Sequence, residues 1–155
     1  MVEINEKQVR RDANDLLNAI MNYARRMLVK YGEFAPIGFS LSPDRKLHNE
    51  TTAHKDLPAD PALLLDLLER QLAERAGKGE IIAAAAGANV TLDKPTPEGQ
   101  TDAVMVEIEH QSGYSIKALV PYRMSGGFLR NIFPRLVRFG GIRVQDAAGR
   151  WFVER

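Results

Sequence analysis

The chain has 155 residues, of which 45% are apolar and 26% charged, with no cysteine and a formal net charge of +1. This composition is that of a folded domain and excludes a disulfide framework, thiolate catalysis and cysteine-based zinc or iron–sulfur sites. No run approaches the ~20 apolar residues of a membrane span, and Met1 to Glu6 show no basic stretch followed by an apolar one. The expectation is therefore a single domain, residues 1–155, in the cytoplasm and without a membrane partner.

From Asn5 to Tyr31, Val9, Ala13, Leu16, Leu17, Ile20, Ala24, Met27 and Leu28 recur at steps of three and four, which predicts an amphipathic helix. Asn5 and Gln8 have the spacing of a capping box, and Gly32 follows as a stop. Ile37, Phe39 and Leu41 alternate with small residues as a strand does, and Ser42-Pro43-Asp44-Arg45 has the composition of a turn. Lys46 to His54 then reads as a second, more polar strand.

Asp60 as a cap and Pro61 at the first helical position announce a second helix, whose buried stripe is Leu64, Leu65, Leu68, Leu72 and Ala76. After Gly77 and Gly79 the run Glu80 to Leu92, whose alanines favour helix but whose position after two glycines favours a new element, is read as a strand, its four alanines admitting a close helix. Residues 93–100 form a loop. Val104, Val106 and Ile108 alternate through Thr101 to His110, Ser112-Gly113 turns the chain, and Tyr114 to Val120 returns before Pro121 ends the strand. The prediction is an α+β fold, a mainly antiparallel five-stranded sheet with two amphipathic helices in the order α-β-β-α-β-β-β. Residues 5–122 form its core.

Residues 123–155 read as a helical and hairpin extension. Phe128 to Phe139 have helix-like spacing broken by Pro134, and Ile142-Arg143-Val144 with Trp151-Phe152-Val153 suggest a small hairpin. This segment carries seven arginines against Asp146 and Glu154, net +5, whereas the first 122 residues carry net −4. Arginine's planar fork suits carboxylates, phosphates and aromatic faces.

Tyr31-Gly32-Glu33-Phe34 with Pro36 and Gly38, then Asp102-Ala103-Val104 through Glu107-Ile108-Glu109-His110, then Pro121-Tyr122, resemble a pattern of small uncharacterised bacterial proteins. The resemblance implies no activity. The element order is also similar to that of the roadblock and profilin-like class, which by analogy implies a scaffold or regulatory dimer.

The chemistry-bearing candidates are few. Glu107 and Glu109 share a strand face, spaced as an acid and a base are in inverting glycoside hydrolysis, and a histidine such as His110 could serve a small hydrolase or ligand-binding domain. Lys117 on the next strand is the plainer partner of that pair. His48, Glu50, Thr52 and His54 alternate on one strand, but two histidines six residues apart span ~20 Å, too far for one ion. No metal site and no cofactor is assigned, since phosphate-loop, dinucleotide and nucleophile-elbow fingerprints are all absent from the sequence. Arg130, Phe133, Arg135, Arg138 and Trp151 form an arginine and aromatic mixture of the kind found at protein-binding hot spots. The favoured expectation is a non-catalytic protein-binding or regulatory domain, its partner another protein or a second copy. Nucleic-acid binding through the same segment is an alternative, as is core packing by the aromatics with the arginines paired to the acidic body.

Overall fold

The structure, a computed structural model, describes residues 5–51, 60–126 and 134–152. The elements in chain order are α1 (Glu6–Tyr31), β1 (Ile37–Leu41), β2 (Leu47–Asn49), α2 (Pro61–Gly77), β3 (Ala83–Thr91), β4 (Asp102–His110), β5 (Ser115–Ser125), β6 (Leu136–Phe139) and β7 (Arg143–Asp146). The strands form one antiparallel sheet in the order β2-β1-β3-β4-β5-β6, with β7 also on β5.

Local sequence explains both helices. The Asn5 side chain accepts the Gln8 N–H at 3.2 Å, and Gly32, at φ +79°, donates its N–H to Leu28. The capping box is half realised, because the Gln8 amide donates to Asp12 at 2.9 Å. Asp60 caps α2 by accepting the Ala62 N–H at 2.9 Å, with Pro61 at the first position.

The two helices pack on opposite faces. Leu16, Ile20, Ala24 and Leu28 of α1 join Ile37, Phe39, Ala83, Ala85, Val104, Val106 and Ile108 in the larger core. Leu68 and Leu72 of α2 meet Ile81, Ala84, Ala86 and Trp151 in the smaller one. The alanines of β3 thus alternate between two helices, and small residues on both faces let both approach. A Cβ on Gly87 would lie 2.7 Å from Ile20 Cγ2, and one on Gly38 would lie 2.5 Å from Leu68 Cδ1. Leu16, Ile20 and Leu28 have no exposed surface, and each contributes on the order of 2 kcal/mol through burial.

The α+β class, the two helices and the order through β5 match the prediction, but the sheet has seven strands rather than five. Leu136–Phe139 is a strand with alternating burial, not a helical turn, and Arg143–Asp146 pairs with Ile116 to Leu119 of β5 rather than with the Trp151 segment. Residues 127–133 and 153–155, which belong to the same expected helical turns and hairpin, lie outside the described residues. The cause is the length of β5, which runs through Pro121 to Ser125 and offers a long edge that β6 and β7 satisfy in turn. Between the Tyr122–Phe139 and Leu119–Arg143 pairs, residues 120–121 of β5 face residues 140–142, a one-residue bulge. The Pro121 carbonyl accepts the Gly140 N–H at 2.7 Å. Its missing N–H therefore falls where the ladder is already interrupted, which is why proline does not end the strand. The expected strand from Lys46 to His54 is only Leu47–Asn49, and Thr52 to His54 lie outside the described residues.

Candidate functional site

Glu107 and Glu109 do lie on one face of β4, opposite Lys117 and Ser115 of β5. Lys117 is not their ion-pair partner. The segment after β7 crosses beneath the sheet and brings Arg150 between Glu69 of α2 (2.6 Å) and Glu107. Glu109 Oε1 accepts the backbone N–H of Arg150 and of Trp151, both at 2.8 Å. Burial pushes the Glu69 carboxyl above the usual range, against the lowering pull of Arg150, and the charge of Glu107 adds to the rise.

His110 is on the other face. Its Nδ1 accepts the Ser112 N–H at 3.1 Å, so Nε2 carries the proton and donates to Asp12 Oδ2 at 3.0 Å. Asp12 is 1% exposed and its other oxygen accepts from Gln8 (2.9 Å) and from Arg45 Nε (3.2 Å). Burial would raise its pKa, but the bonds from His110, Gln8 and Arg45, with the charge of Arg45, outweigh this and hold it below the ordinary value. With both ring nitrogens engaged, His110 has no lone pair free to take a substrate proton. The pair ties α1 to the β4–β5 hairpin.

Glu50 is buried beneath α2. It accepts from Ser40 Oγ (2.7 Å) and Gln71 Nε2 (2.9 Å) and pairs with Arg75, which also reaches Glu80 at 3.0 Å. His48 is exposed, with Nε2 3.3 Å from Ser42 Oγ. Among the described residues no group of three or more histidines and carboxylates is arranged to hold a metal ion. Four clefts of 280–330 Å³ lie among the described residues, and none of these four has Glu107, Glu109 or His110 in its wall.

The arginine and aromatic segment divides. Trp151 is buried in the core under α2. Arg135 donates to the carbonyls of Lys30 (3.0 Å) and Val29 (3.4 Å), the open end of α1. Arg25 lies 4.9 Å above the Phe139 ring, which packs edge-on to Tyr122. Arg130 and Phe133 lie outside the described residues. Arg138 and Arg143 point to solvent, and beside them Leu136, Ile142 and Val144 are 63%, 47% and 55% exposed. These five exposed side chains are spread along the outer edge of the sheet, where β6 and β7 have no further strand beside them among the described residues, and the register puts Leu136, Arg138 and Arg143 on one face of the edge and Val144 on the other.

Sequence reading missed Asp12, Glu69 and the exposed aliphatics. A signal for Asp12 was present, since it falls between Val9 and Leu16 on the apolar stripe of α1 and is a charged residue in a core position. Glu69 carried none, because its role depends on where Arg150 arrives.

No family model, no curated protein and no solved structure matches the chain. No helix among the described residues is long and apolar enough to cross a membrane.

Proposed function

We propose that the chain is a non-catalytic, protein-binding domain of the bacterial cytoplasm, which docks a partner on the outer edge formed by β6 and β7. The observation that carries this reading is the exposure of Leu136, Ile142 and Val144 along the same outer edge as Arg138 and Arg143. Large aliphatics left exposed along an unpaired sheet edge are candidates for contact with a partner, and arginine is favoured at such contacts. The chemistry selects a partner surface that offers both carboxylates and apolar groups along this edge. The bulge at residues 140–142 and the two arginines discourage addition of a long flat strand, so recognition is by side chains. Arg130 and Phe133 belong to the same segment and to the same proposal. The likeness to regulatory dimers makes a second copy one form of this partner.

The test uses the full chain with Leu136, Ile142 and Val144 changed to aspartate. Thermal stability should stay within a few degrees of wild type, because the three side chains are exposed, while a complex seen by light scattering or by capture from the native cytoplasm should be lost. Complexes that survive the triple change would refute the edge as the docking site. Binding to single-stranded oligonucleotides that weakens steeply with salt would replace this reading with the nucleic-acid one.

A further inference from the structure

The segment Ala147 to Phe152 is held in an unusual way. It has no helix or strand, and among the described residues its one backbone-to-backbone hydrogen bond runs from the Ala147 N–H to the Ser115 carbonyl at 3.1 Å. Every other anchor is a side chain. Glu109 Oε1 takes the N–H groups of Arg150 and Trp151, Glu69 and Glu107 flank the Arg150 guanidinium, and Trp151 fills a slot made by Leu68, Leu72, Ile81, Ala84 and Ala86. Those are the three devices by which a folded domain captures an extended peptide: a carboxylate for backbone N–H groups, an acidic clamp for a cation and an apolar slot for an aromatic anchor.

Two further features show that the seat is less than fully satisfied. Trp151 is 3% exposed, yet its Nε1 has no hydrogen-bond partner among the described residues. A buried donor left unpaired weakens the seat, since that N–H would bond water once released. The Arg150 side chain is 51% exposed, so water competes for its ion pairs.

We propose that Ala147 to Phe152 is a detachable strap, and that the acidic, slotted groove beneath it, between α2 and the β3–β4 face, is a docking surface for an extended partner segment carrying an arginine followed by an aromatic residue. The charge complementarity is on one side only: three carboxylates, Glu69, Glu107 and Glu109, line the groove, and Arg150 is the cation that meets them. A partner segment of the same chemistry takes the place of the strap and leaves the strap free. The groove is on a different surface from the β6–β7 edge and does not depend on it.

The first experiment follows amide hydrogen exchange in the wild-type full chain. The Arg150 and Trp151 amides should exchange at least tenfold faster than the Val106 amide in the centre of β4, because the strap opens without global unfolding. Exchange of all three at one common rate overturns the strap. The second titrates a labelled, end-blocked peptide of the sequence Ala147 to Phe152 into wild-type and Trp151→Ala full chains. The variant, with its slot vacated, should bind at least tenfold tighter than wild type, and adding Glu109→Ala should remove that gain. A Trp151→Ala chain that does not fold is replaced by Arg150→Ala, which loosens the strap through an exposed residue. Equal binding to wild type and variant, or none to either, overturns the groove. A wild-type dimer that exchanges straps overturns the assignment to a separate partner segment.

Discussion

Replacing Asp12 by asparagine changes one atom of the side chain and tests the buried cluster at the end of the sheet. Every partner of Asp12 is a donor: Gln8 Nε2, Arg45 Nε and His110 Nε2, the last because Nδ1 already accepts from Ser112. Asparagine has one acceptor oxygen and one NH₂, so in either orientation it faces a donor with a donor. If the amide meets His110, the Nε2 proton of a residue 5% exposed loses its acceptor. If the imidazole changes tautomer to accept, the Ser112 N–H loses its own. Leaving such a buried group unpaired costs about 1–3 kcal/mol. With a urea m-value of about 2 kcal/mol/M, a loss of ~2 kcal/mol moves the midpoint by about 1 M. The pH dependence is a second readout. The Asp12 carboxyl is held below its ordinary value in the fold, so its contribution is complete above the unfolded pKa of about 3.9 and is lost as pH falls through the folded value. Wild type and Asp12→Asn should therefore differ by a constant amount at neutral pH and converge in acid. A variant within about 0.5 kcal/mol of wild type, the range of a neutral surface change, would refute the all-donor assignment. So would two curves that stay parallel into acid.

Gly87→Ala should cost about 1–3 kcal/mol in urea unfolding through overpacking, since its Cβ would meet Ile20 Cγ2 at 2.7 Å. Ile20→Ala removes that methyl, so the double variant should be more stable than the sum of the two losses allows, and strict additivity would count against direct contact. Glu69 titrates in the opposite sense to Asp12. Burial raises its folded pKa, so stability from this group increases as pH falls from the raised value toward the unfolded one of about 4.3. Thermal melts from pH 7 down to about pH 4 should show this gain in wild type and not in Glu69→Gln, and identical pH profiles would refute it.

Most of the fold was legible because it follows from local pattern. The α1 stripe, Asn5 and Gly32 at its ends, Asp60-Pro61 at the start of α2 and the alternation in β1 and β4 each act over a few residues. The carboxylate pair was legible too, as period two puts Glu107 and Glu109 on one face of β4 and His110 on the other. Their occupation was not. Arg150 lies 43 residues beyond Glu107 and 81 beyond Glu69, and nothing near any of the three predicts that they meet. The same holds for His110 and Asp12, 98 residues apart.

By itself, then, the sequence determined two amphipathic helices, the antiparallel strands through β5, and the small-residue strand at their centre, since burial period and end signals are local properties of the chain. Only the tertiary structure decided what became of the arginine-rich end. Whether Leu136 to Phe139 is helix or strand depends on the edge that β5 offers. Whether an arginine faces solvent, as Arg138 and Arg143 do, or is engaged by the chain itself, as Arg135 and Arg150 are, depends on which carbonyls and carboxylates distant segments bring within reach. Long-range pairing is a matter of three-dimensional proximity, which no short window of residues encodes.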